Sequence, residues 1–222
     1  MRQNRVDPMG DLHAVPKRGA LMGNRGVLHD ADGRIRRGWQ GRRWIACLIA
    51  FRGRRRQVMA PGRYTELFFL DEATAYAAGH RPCAECRRAE YRAFVALWTE
   101  VHGRPKGSVA DGIDRALHAA RIEGTERRLW QAEARALPPG TMIRSGAGAA
   151  LVTVDGLRPW SFGGYGAPGP LPDGPVEVIT PTPVVALFAA GLVPGMAGQA
   201  GSEGVPPKSD SRSEATTAPV KR

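Results

Sequence analysis

Two cysteines separated by two residues are the side chains of this sequence best suited to chemistry. They lie in Gly79-His80-Arg81-Pro82-Cys83-Ala84-Glu85-Cys86-Arg87-Arg88. Thiolates at that spacing can share one metal ion, because a tight turn between them points both sulfurs inward. A helix beginning at the second cysteine would add the positive end of its dipole and favour the thiolate. Structural zinc takes four ligands, so two more are needed. The remaining cysteine, Cys47, and a histidine complete the set, with His80 the first choice and His29 the next. Zinc is therefore the expected cofactor, on Cys47, Cys83, Cys86 and His80. Two other readings stand beside it: cysteines packed as small apolar residues in a metal-free fold, and thiol redox chemistry.

A second candidate is Asp114, His118 and Arg121, at i, i+4 and i+7 of one helical segment. An Asp one turn from a His can orient the imidazole, pair with it as acid and base, or share a metal. In an enzyme reading His118 is the general base and Asp114 its partner, acting on nucleic acid or another phosphorylated substrate. The alternative is a surface salt bridge.

The third feature is basic. Ten arginines and no acidic residue lie between Arg34 and Arg63. Arg42, Arg43, Arg52, Arg54, Arg55, Arg56 and Arg63 belong to this field, and Arg87 and Arg88 extend it onto the knuckle. Trp39, Trp44 and Tyr64 sit among them. Guanidinium forks match phosphate oxygens and stack on bases, so these residues are the candidate nucleic-acid contacts. The net charge of +11 suits a polyanion partner. A solvated charged face is the plain alternative. Arg158–Tyr165 joins aromatics to glycines, as a base-stacking surface or as an anchored turn.

The elements that must position these groups follow from pattern. Residues 1–43 read as loop and turn. Trp44–Phe51 reads as a strand buried on both faces and Thr65–Leu70 as a second strand. Asp71 caps a helix over Glu72–Ala78 that ends on Gly79. A helix from about Cys83 to His102 carries an apolar stripe of Tyr91, Phe94, Val95, Trp98 and Val101. Asp111–Ile122 is a third helix. Thr141–Ile143, Ala150–Val154 and Val176–Ile179 read as short strands, and Thr182-Pro183 opens a last helix. Beyond Met196, Gly, Ser, Pro and charge predominate, and disorder is expected. Three cysteines are too few for a disulfide framework. No apolar run reaches the ~20 residues of a membrane span, and none follows Met1–Arg5, so a soluble cytoplasmic protein is expected.

The segment from Phe68-Phe69 through Ala75-Tyr76-Ala77-Ala78-Gly79-His80-Arg81-Pro82-Cys83-Ala84-Glu85-Cys86-Arg87 resembles the Ada-type zinc domain of adaptive-response DNA repair proteins. That pattern has paired aromatics, an Ala-rich helix ending in Ala-Gly-Phe, then Arg-Pro-Cys-x-x-Cys. The resemblance covers about residues 44–90. It implies a zinc site and a DNA partner, DNA over RNA. The family binds zinc through four cysteines, one of which accepts a methyl group from backbone phosphate. Cys83 and Cys86 match the second pair of that set, and His80 replaces the Phe. Where the first pair would fall this chain has Arg52-Gly53-Arg54-Arg55-Arg56, so methyl transfer is not implied. Pro82-Cys83-Ala84-Glu85-Cys86 also fits half of the zinc deaminase signature. That chemistry needs a further ligand followed two residues later by Glu. Cys47 is followed by Leu48-Ile49 and His29 by Asp30-Ala31, which disfavours deamination.

The sequence thus predicts an α+β fold: a basic Ada-like unit over 1–105, a helix and short-strand unit over 106–196, and a disordered tail over 197–222. The leading function is nucleic-acid binding with a structural zinc site. An enzyme using Asp114 and His118, and a protein-interaction module, are the alternatives.

Overall fold

A computed structural model describes residues 1–54 and 57–198. Arg55, Arg56 and all but two residues of the expected disordered tail lie outside the described residues. The fold is α+β, as the pattern implies. The first half contains β1 (Arg5–Val6), β2 (Leu12–His13), β3 (Leu21–Asn24), β4 (Ile45–Cys47), β5 (Leu67–Phe69), α1 (Glu72–Ala77) and β6 (Arg81–Pro82). Then come α2 (Arg88–His102), α3 (Val109–Arg121) and the small hairpin of β7 (Ile122–Glu123) and β8 (Glu126–Arg127). The rest is β9 (Trp130–Glu133), β10 (Met142–Ser145), β11 (Gly148–Thr153), β12 (Gly156–Ser161), β13 (Gly164–Tyr165), β14 (Pro175–Val178) and α4 (Thr182–Ala189).

The first sheet runs β2-β1-β5-β3-β4-β6 and is mixed, with β1–β5 and β4–β6 parallel. The second, β13-β12-β11-β10-β14-β9, is antiparallel throughout. Residues 1–43 are not all loop: three strands come from them, too short to show periodicity on their own. The run Trp44–Phe51 stays in the sheet for only three residues. Its neighbour β6 is two residues long, and the chain then turns at Arg52, φ +50°, and Gly53, φ +65°.

Helix α1 is short and central. Ala75 and Ala78 pack on the first sheet, Ala73 and Ala77 on the second, and Tyr76 on a cluster from α2, α3 and α4. Alanine lets three layers approach one helix, which explains its composition. Asp71 caps it, accepting from the Thr74 N–H at 2.8 Å. At the other end the His80 N–H donates to Ala75 O and the Gly79 N–H to Tyr76 O, a Schellman closure. Gly79 sits at φ +82°, and a Cβ there would lie 2.5 Å from Arg121 Cδ. Tyr76, Phe94 and Trp98 share a core with Ile113, Leu117, Val184, Leu187 and Phe188, so one cluster spans both sides of position 105.

Candidate metal centre and basic surface

The chain brings all three cysteines together. Parallel pairing of β4 and β6 continues as the Cys83 N–H donates to Ala46 O at 2.9 Å, which sets Cys83 beside Cys47. Cys83 thus still belongs to the extended edge of the sheet, and the helix starts later than the sequence suggested. A turn closed by Arg87 N–H to Cys83 O brings Cys86 back over the pair, and α2 begins at Arg88. The three Sγ atoms lie within 4.8 Å of one another, two residues buried and Cys86 half-buried.

The electrostatics favour thiolate at Cys83. Hydrogen bonds from the Cys47 and Cys86 thiols push its pKa well below the ordinary thiol value, with the backbone N–H groups of Cys86 and Glu85 adding to them. Cys47 is pushed up, first by its hydrogen bond to Cys83 and then by that to Cys86 and by burial. Cys86 is pulled down by Cys47, but its bond to Cys83 and burial outweigh this and leave it raised. It also accepts from the Leu48 N–H at 3.4 Å. A thiophilic cation would displace the thiol protons from the three sulfurs. The donor set fits such an ion.

His80 is not among the converging ligands, which corrects the expected set. It is 1% exposed, with ring centroids 5.2 Å from Trp44 and 4.6 Å from Phe69. It therefore fills a core aromatic position. Neither ring nitrogen has a partner. Burial, with Arg25, Arg121 and Arg127 nearby, drives its pKa well below 6.5. The sign follows: below pH 6.5 the unfolded histidine takes a proton that the folded one refuses, so stability falls as pH drops through that range. Urea melts at pH 7.5 and 5.5 should show this loss, and His80→Phe should remove its share of it. His29, the second choice, bonds Thr65 Oγ1 at 2.6 Å and Ala60 O at 3.3 Å, away from the sulfurs.

The Asp114–His118 pair does not form either. Arg81 of the knuckle grips Asp114 through two bonds of 2.8 Å, both side chains nearly inaccessible. This is neither an acid–base dyad nor a surface salt bridge. His118 lies instead against Trp39 and Trp44, with Arg121 Nη2 3.4 Å from its Nδ1. A guanidinium only donates, so Nδ1 accepts and the ring proton sits on Nε2. Burial and the cations Arg121 and Arg42 lower the His118 pKa. A general base at Nδ1 would have to take its proton beside a cation.

The arginines divide. Arg42, Arg43, Arg52, Arg54, Arg63 and Arg88 are exposed. Arg43 reaches Asp111 at 3.4 Å and Arg54 pairs with Glu85. Arg87 is buried between Glu72 and Glu90 and so is withdrawn from any surface contact. A groove of about 590 Å³ is lined by Arg42, Arg43 and Arg115 with Asn24, Gln40, Asp111 and Asp114. Trp44 is buried, with Arg121 3.8 Å and Arg25 4.8 Å from its ring, which leaves half-buried Trp39 and Tyr64 as the aromatics nearer solvent. Arg158–Tyr165 is an anchored turn: Trp160 Nε1 donates to Thr74 Oγ1 and the Tyr165 hydroxyl to Asp71.

Sequence reasoning missed the inward arginines. Arg121 donates to Gly79 O and Arg42 O at 2.6 Å, Arg127 to Ala77 O and Ile179 O, and Arg25 to Gly10 O. Burial lowers Arg25 and Arg127 to about 10 and Arg121 well below its ordinary value. Ala77 and Gly79 carry the closing carbonyls of α1, the negative end of its dipole, and so attract these cations. Nothing local in the sequence separates these arginines from exposed ones. No helix among the described residues is long and apolar enough to cross a membrane. No protein-family model, curated protein or solved structure matches this chain.

Proposed function

We propose that this is a nucleic-acid-binding protein, DNA before RNA, whose first sheet and knuckle are held by a zinc ion on Cys47, Cys83 and Cys86. The observation that carries the binding half is the groove lined by Arg42, Arg43 and Arg115. Arg42 and Arg115, with Arg37, Arg63 and Arg88, have no carboxylate partner among the described residues. Unpaired exposed guanidinium groups suit phosphate, and a half-buried indole suits a base. The likeness of residues 44–90 to a DNA-repair zinc domain points the same way.

The metal half rests on three converging sulfurs with a thiolate already favoured at Cys83. Zinc would be held by these three sulfurs, with solvent completing its coordination.

Fluorescence anisotropy with labelled single-stranded and duplex DNA tests the binding. Affinity should fall linearly on log–log axes with salt, with a slope of about 0.9 per phosphate neutralised on duplex. Arg42→Ala with Arg115→Ala should lower that slope by about one per lost contact. An absence of binding at about 50 mM salt would reject the reading.

A further inference from the structure

We propose that Met22 is a fourth sulfur ligand at the cysteine centre, and that the centre therefore selects copper(I) over zinc when both are offered. The inference rests on the reading that the three cysteines bind a metal. Its evidence is the register of the first sheet. Met22 lies directly across from Cys47 in the β3–β4 pair and across from Phe68 in the β3–β5 pair. Residues directly opposite on neighbouring strands share a face. Cys83, one residue past the last β4–β6 pair, continues the row. Phe68, Met22, Cys47 and Cys83 thus cross four neighbouring strands on one face.

Met22 is 3% exposed and packs in one buried cluster with Cys47 and Cys83, against which Cys86, Ile45 and Phe68 also pack. Among the described residues no histidine, aspartate or glutamate joins the three sulfurs. The further donor that shares their face of the sheet and their buried cluster is a thioether, held in an apolar wall. Structural zinc is bound by Cys, His and carboxylates. A neutral thioether beside thiolates is a donor set for soft monovalent copper. Copper(I) would replace the thiol protons on the sulfurs without any change of oxidation state. The flexible methionine side chain can turn its sulfur toward the ion without moving the sheet.

The full chain is titrated anaerobically with copper(I) under competition from a chromophoric chelator, with and without one equivalent of zinc, and Met22→Leu is treated alongside. Leu keeps the apolar volume, and thermal melts of both metal-free proteins check its folding. The wild type should take one copper(I) and release zinc. Met22→Leu should bind copper(I) about tenfold more weakly, with zinc affinity unchanged. In selenomethionine-labelled protein, which carries six labelled sites, copper loading should give a copper neighbour at bonding distance from one selenium, absent in Met22→Leu. Equal copper affinity in the two proteins, equal weakening for both metals, or no copper–selenium neighbour each overturns the assignment and leaves the three-cysteine reading standing. Binding of neither metal by the wild type overturns both.

Discussion

Cys83→Ser is expected to purify with almost no bound metal and to be several kcal/mol less stable than the metal-loaded wild type. Metal bound only by the folded state adds its binding energy to folding; in zinc-finger peptides this reaches roughly 10–16 kcal/mol. Here several hydrophobic clusters support the fold independently of the sulfurs, so the loss should be smaller and the protein should still fold. Cys83 is the right position because it is the hub: two thiols and two backbone N–H groups converge on its sulfur. A serine hydroxyl can accept those bonds but does not ionise near neutral pH, so it cannot supply the ligand. The comparison that decides the matter is made with and without chelator. With metal, the variant should melt well below the wild type; with chelator, the two should nearly coincide. A gap of the same size in both conditions would mean that Cys83 acts by packing alone, and elemental analysis near zero for the wild type would say the same.

Asp114→Ala should destabilise the protein by about 3–5 kcal/mol, the range for breaking a buried ion pair by removing one partner. The physical reason is the orphan it creates. Arg81 is buried against α3, with its guanidinium 5.3 Å from the Tyr91 ring, and among the described residues it pairs with no second carboxylate. Replacing both members with apolar residues, Arg81→Met with Asp114→Leu, should recover much of the loss, because no buried charge is then left unpaired. His118→Ala should cost under about 1 kcal/mol, since the ring is half-buried and its one polar contact is long. Urea denaturation of the four proteins measures all of this. If Asp114→Ala and His118→Ala prove equally mild, the ion pair is not the support that its geometry indicates. A large loss at Asp114 beside a small one at His118 is the pattern of a structural pair and not of an acid–base dyad.

Both predictions concern one short stretch, Gly79 to Cys86, whose residues divide the labour. Gly79 and His80 close α1, Arg81 locks α3 to the sheet, and Cys83 and Cys86 meet Cys47. The buried arginines Arg121 and Arg127 hold the closing carbonyls of α1 from the other side.

The sequence by itself determined the local features. The Asp71 cap, the glycine closure at Gly79, the apolar stripes of α2 and α3, and the Cys-x-x-Cys turn are set by residues within a few positions of one another, and local sterics and hydrogen bonding suffice to produce them. Tertiary structure alone decided which groups share a site. Cys47 joins Cys83 across 36 residues only because β4 and β6 pair in parallel. Asp114 leaves His118, one helical turn away, for Arg81, because a buried carboxylate requires a buried cation. The three strands within residues 1–43 owe their existence to partners far along the chain, as with β1 on β5. For the same reason nothing near Met22, Arg121 or Arg127 in sequence marks which way they face. Burial and register are properties of the assembled sheet, and the chemistry of this protein depends on both.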